Sequence, residues 1–162
     1  MNLNVALSWI PLLKGLGMPD HAFGYVWSAM SAMWILSSIA SHKFLKKGRE
    51  KKFIINSIIL AALFTLLILF TKSIFFALVI LLAGTFFDMV KTPAQRAYFH
   101  KFTPSKLRAT VGSVEGMIRA IIGIIALPIT GWLVDLIGAK YTIFISGILM
   151  IPAAIVYYRI KE

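Results

Sequence analysis

Five long stretches of the chain are hydrophobic with little interruption: residues 24–41, 53–71, 74–90, 111–134 and 141–158. An α-helix crossing about 30 Å of hydrocarbon needs roughly 17–25 mostly apolar residues, so each stretch is long enough to span a bilayer. A sixth, residues 3–17, is broken by Pro11 and Lys14. At 1.5 Å per residue it reaches only about 22 Å, which makes it a short span, a re-entrant piece or a span whose beginning is missing. It has neither the basic start nor the small-residue cleavage site of a signal peptide. The pattern predicts an all-α polytopic membrane protein, with residues 1–162 forming a single helical bundle.

The stretches differ in character. Residues 53–71 and 141–158 are apolar nearly all round, as suits helices surrounded by lipid, and Tyr157 and Tyr158 fall where aromatics collect at an interface. In residues 24–41, Gly24, Trp27, Ser28, Ser31, Trp34, Ser38 and Ser41 recur at steps of three and four and share one helical face. Such a face packs tightly on another helix through its small residues, or it lines a polar cavity. Residues 111–134 have the same character and carry charges besides. Counted along the chain with residues 3–17 as the first, the second and fifth stretches (24–41 and 111–134) are thus the polar, glycine-bearing ones, and the third and sixth (53–71 and 141–158) the greasy ones. That order predicts a 3+3 internal repeat of inverted topology with a short first helix.

Composition sharpens the class. The 162 residues are 59% hydrophobic and 14% charged, against about 45–50% and about 25% in soluble domains. Disorder, a disulfide scaffold and an ordinary cytosolic enzyme are excluded. The absence of Cys also removes thiol catalysis and thiolate metal sites.

The net charge of +11, from 17 Lys and Arg against 6 Asp and Glu, would suggest nucleic acid in a soluble protein. Here its distribution decides otherwise. Residues 42–52 hold Lys43, Lys46, Lys47, Arg49, Lys51 and Lys52 against Glu50. Residues 91–110 hold Lys91, Arg96, Lys101, Lys106 and Arg108, and the tail holds Arg159 and Lys161. Lys14, Lys72 and Lys140 fall on the other side of the alternating loops, and Arg119 lies within a span. The positive-inside rule puts the basic loops and the C-terminus in the cytoplasm, in a cell membrane. The basic residues punctuate hydrophobic runs instead of interleaving with aromatics on one folded face, so nucleic acid is not an expected partner.

Three local motifs add detail. The fifth stretch ends Gly131-Trp-Leu-Val-Asp135-Leu-Ile-Gly138-Ala-Lys140. Asp135 is placed to accept hydrogen bonds from the amides that open the next helix, with Gly138 and Lys140 forming the turn. The second stretch ends in a looser version: Ser37, Ser41, His42, Lys43, Gly48 and Arg49. Before the fifth lies Pro104-Ser-Lys-Leu-Arg108-Ala-Thr110-Val-Gly-Ser113. Together these resemble the C-terminal half of a major facilitator superfamily transporter, from the end of helix seven through helix twelve.

Arg108, Thr110 and Ser113, leading into helix eleven, and Gly131, Asp135 and Gly138, leading out of it, are the motif positions. Two departures are plain: Ser41 stands where the family motif often carries Asp, and Lys106 where many members carry an acid. The resemblance implies a permease moving a small solute by alternating access. It also implies that helices seven, eight, ten and eleven face the cavity while nine and twelve face lipid.

Ionisable groups inside spans are costly and usually face a bundle interior. With the fifth helix starting near Arg108, Glu115 lies about 10 Å and Arg119 about 16 Å along it. Four residues apart with the acid first, they suit a helical ion pair. Asp88 lies roughly 21 Å in from the outer surface, and Lys91 is placed to pair with it or to snorkel. These are either satisfied pairs holding helices ten and eleven together, or functional groups. In the second reading Asp88 or Glu115 carries a coupling proton, and Arg119 tunes it or meets an anionic substrate. Trp27, Ser31 and Trp34 join the candidate pathway.

His21, His42 and His100 sit at segment ends, as solvated loop residues do. Pro128 and Pro152 kink their spans and free a carbonyl each. No nucleophile with a paired base, no acid cluster for a metal and no phosphate-cradling glycine loop is present, so no enzyme, cofactor or metal is expected.

A cavity between two halves needs both. The chain is therefore expected to be a fragment or split half that needs an N-terminal half, or else a half-size carrier acting as a homodimer. The other class of function is a membrane scaffold or partner subunit without a solute path.

Overall fold

Residues 3–46 and 48–159 are described by a computed structural model (residues 3–6 as backbone only). Lys47 and Lys161, counted above among the basic residues, lie outside the described residues. Within them the chain forms six α-helices: α1 (Leu3–Gly15), α2 (Phe23–Phe44), α3 (Glu50–Leu67), α4 (Ile74–Phe102), α5 (Arg108–Ile137) and α6 (Ala139–Arg159). Counting adjoining turns, five segments are long and apolar enough to cross a membrane: Asp20–Phe44, Glu50–Phe70, Ile74–Phe102, Ser105–Ile137 and Ala139–Arg159. At 13 residues, α1 is the short first helix and runs unbroken through Pro11.

Several helices outrun their hydrophobic runs. The polar stretch after Val90 is not a loop: α4 continues through Pro93 to Phe102. A proline removes one backbone bond and crowds one carbonyl, yet helices with neighbours on both sides absorb it. At the start of α3, the Glu50 carboxylate accepts the Gly48 N–H at 3.0 Å, and an acid suits the positive end of a helix. The connection between α2 and α3 shrinks accordingly.

Between α5 and α6 a single residue remains, Gly138, with φ +86°, a backbone conformation that side chains disfavour. Its N–H donates to the Val134 carbonyl at 2.9 Å, and its own carbonyl accepts from the Thr142 N–H at 3.2 Å. These bonds close the turn without Asp135, which is exposed and receives no hydrogen bond among the described residues. The expected Asp135 cap is therefore corrected.

The packing pattern repeats. α3 lies against α4 and α6, α2 against α4, α1 against both α5 and α6, and α5 against α6. Exchanging α1 with α4, α2 with α5 and α3 with α6 turns α2–α4 into α5–α1 and α4–α3 into α1–α6, and leaves α3–α6 unchanged. Three helices per unit is an odd number, so the two units run in opposite senses, as a 3+3 inverted repeat requires. The close α5–α6 contact has no equally close α2–α3 counterpart; the one-residue turn at Gly138 holds the first pair together, and a longer connection separates the second.

Two apolar clusters mark the ends. One gathers Trp9, Leu13, Met30, Ile68, Leu81 and Ile143 at the weakly charged end. The other gathers Ile54, Ile58, Ala94, Tyr98 and Ala154 at the basic end. The greasy helices are the central ones, contrary to the expectation that they face lipid all round. α3 buries Ser57, Ala61, Ala62 and Thr65, and α6 buries Thr142, Ser146 and Gly147. Lipid is as apolar as leucine, so close approach through small residues decides helix contact in a membrane. A Cβ on Gly147 would stand 3.1 Å from the Leu66 side chain.

Candidate functional site

α2 and α5 are the least buried spans. On α2 the buried residues are Val26, Met30, Ser37 and Ser41, so of the predicted small-polar face only Ser41 is buried. Between its ends the serines of that face, Ser28, Ser31 and Ser38, stay exposed. Three of its hydroxyls turn back on their own helix: Ser28 donates to the Gly24 carbonyl at 3.0 Å, Ser31 to Trp27 at 2.9 Å and Ser38 to Trp34 at 3.1 Å.

The indoles do come together with a residue the sequence reading passed over. Trp9 of α1 stacks on Trp27, ring centroids 5.9 Å apart and planes 10° from parallel. With Trp34, Met30, Gly84 and Asp88 they line a small cavity of about 80 Å³. Nothing in the spacing along either helix announces this contact, because it joins two separate elements.

Asp88 and Lys91 are buried, each 8% exposed, and the lysine ammonium donates to the Asp88 carboxylate and backbone carbonyl. Glu115 and Arg119 also pair, Arg119 Nη2 to Glu115 Oε1 at 2.5 Å and Nε to the same oxygen at 3.2 Å. Both pairs lie within one helix, α4 and α5 respectively. The ion pairs themselves join no second helix, which corrects that reading of them: spacings of three and four close on one helix face.

The pairs differ in surroundings. The Glu115 and Arg119 side chains are 49% and 62% exposed, because α5 has no buried residue from 108 through 122. They open onto a cavity of about 800 Å³ at the basic end, lined from α4, α5 and α6 by Gln95, Arg96, Tyr98, His100, Arg108 and Tyr157 among others.

Arg108 stands at the start of α5 and reaches the last turn of α4 and beyond, donating to the carbonyls of His100 and Thr103 at 3.4 Å each. A cation there complements the negative end of the helix. Gln95 donates to the Tyr157 hydroxyl at 3.1 Å, joining α4 to α6. His42 and His100 belong to the last turns of α2 and α4, not to loops. Extending α4 past its hydrophobic run is what brings Arg96 and His100 to the cavity.

Thr110, Ser113 and Gly131 lie along α5, and a Cβ on Gly131 would meet Leu7 of α1 at 3.8 Å. At the opposite end Lys140 Nζ donates to the Thr71 carbonyl at 2.5 Å, and Lys14 pairs with Asp20 at 3.0 Å. Among the described residues no group of three or more His, Asp or Glu is placed to hold a metal.

An inverted-repeat bundle of membrane-spanning helices, with ion pairs inside two of them, defines an integral, multi-pass membrane protein of the transporter class. The chain belongs to the Major Facilitator Superfamily, whose sequence model matches residues 1–162. Membership makes it a transporter of the secondary-permease kind and not an enzyme. No curated protein matches the chain significantly.

The match also corrects the half to which the chain was assigned: it is typical of the N-terminal six-helix repeat of these transporters, not of the C-terminal half. The numbering as helices seven to twelve falls with that assignment. The two halves are built alike, so hydropathy order and loop charge look the same in both, and short motifs at helix ends do not separate them.

Proposed function

We propose that the chain forms one side of an alternating-access pathway for a small solute, coupled to protons. What supports this most is the Glu115–Arg119 pair, set inside an otherwise apolar helix and open to a polar cavity. A charged pair surrounded only by lipid would be costly; one beside a water-filled route is not. In this reading Glu115 or Asp88 carries the coupling proton, and Arg119 tunes it or meets an anionic solute. Trp27, Ser31 and Trp34 border the route on α2. The basic end faces the cytoplasm of a cell membrane.

The route is completed by a second six-helix unit, a further copy of this chain or a partner, laid across the exposed faces of α2 and α5. Flux and proton movement are to be measured in vesicles holding the active assembly, with Glu115→Gln and Asp88→Asn. Solute flux that persists in either variant without proton movement supports the reading, and unchanged coupling in both removes it. One observation favours the second reading, a scaffold without a solute path: Ser28, Ser31 and Ser38 spend their hydroxyl protons on their own helix.

A further inference from the structure

The cavity at the basic end carries more positive charge than its own residues balance. Arg96, Arg108 and Arg119 line it against one acid, Glu115, with His100 beside them. That acid is already engaged by Arg119. Arg108 spends two N–H groups on the carbonyls of His100 and Thr103, which leaves three of the five guanidinium donors. Arg96 is exposed on α4 and has no hydrogen-bond or ion-pair partner among the described residues. His100 stands one turn further along the same helix, on the same face. Gln95 and Tyr157 add a polar wall, while Phe99 and Val156 add an apolar one.

We infer that this cavity binds a phosphate-bearing anion, held between Arg96 and Arg108. Guanidinium forks match the oxygens of a phosphate two at a time, and anchoring Arg108 to backbone lowers the entropy lost when it does so. About 800 Å³ is ample for a phosphate ester, within the range of roughly 300–1,000 Å³ usual for ligand sites. Basic pockets between membrane helices near a bilayer surface suit lipid head groups, and a soluble phosphate ester offers the same oxygens. The inference does not rest on proton coupling and stands whatever solute the chain carries.

The experiment uses the full chain in two arms. In the first, the protein is taken from vesicles of phosphatidylcholine and phosphatidylglycerol, and retained lipid is counted by native mass spectrometry. In the second, the protein in phosphatidylcholine nanodiscs is titrated with glycerol 3-phosphate by equilibrium dialysis. Saturable retention of phosphatidylglycerol alone assigns the site to lipid, and saturable uptake of glycerol 3-phosphate assigns it to a soluble ester.

In whichever arm binds, Arg96→Gln with Arg108→Gln weakens binding about 25-fold, the product of roughly fivefold per arginine beside a charged group. Lys72→Gln, at the other end, changes nothing. Because Arg108 also braces α4, Arg96→Glu alone is measured beside it, with helicity checked by circular dichroism; it weakens binding in a folded protein. The inference is overturned if neither probe binds saturably, or if Arg96→Glu binds as the parent does.

Discussion

Two ion pairs of almost the same spacing have different energetics, because one is buried and the other is not. Asp88→Asn leaves the Lys91 ammonium enclosed without a counter-charge, which costs about 3–5 kcal/mol when a buried pair is broken. Thermal unfolding in detergent should register that loss, and Asp88→Asn with Lys91→Met should recover most of it. Glu115→Gln exposes nothing that was hidden. Its pair is about half open to solvent, so screening holds the loss below about 1 kcal/mol. If Glu115→Gln destabilises as much as Asp88→Asn, the environments described for the two pairs are wrong.

Among the elements, α3 and α6 make the central seam, and Gly147 lies close against Leu66 within it. Gly147→Leu has to push α6 off α3 and costs roughly 1–3 kcal/mol, as overpacking does. Gly84→Ala is milder, because its Cβ would find Thr65 and Phe64 at 3.7 and 3.8 Å. Unfolding temperatures of the two variants in one detergent give the comparison; equal losses would mean the seam is not closely packed.

The number of helices, the brevity of α1 and the repeat were legible in the hydropathy of the chain, since length and apolar content suffice for them. The central place of α3 was not, because a helix that packs through Ser57, Ala61 and Thr65 reads as greasy all round. Nor was the reach of α4, whose Lys91, Thr92 and Pro93 read as a loop. At the candidate site, Glu115–Arg119 could be paired from spacing alone. Trp9 on Trp27, and Arg96 and Arg108 lining one cavity, could not, since those juxtapositions depend on how separate helices are set side by side.

At the scale of the whole molecule, the thinly covered helices are the ones available for a second unit and for water. The chain has no native cysteine, so single cysteines report cleanly. Gly112→Cys and Gly116→Cys, with nothing within 4 Å of an added Cβ, should react with a charged, water-borne thiol reagent. Thr130→Cys, at a position 1% exposed, should not. Equal labelling at all three would remove the distinction between the open and covered parts of α5.

The one-residue turn at Gly138 has a mechanical consequence. α5 is gripped by α1 and α6 near that turn, and its 30 residues make a rod about 45 Å long. A ten-degree swing about the glycine would sweep the Arg108 tip through an arc of about 8 Å. An arc of that size would break the bonds from Arg108 to the His100 and Thr103 carbonyls, so those two bonds tether the free end of the lever to α4.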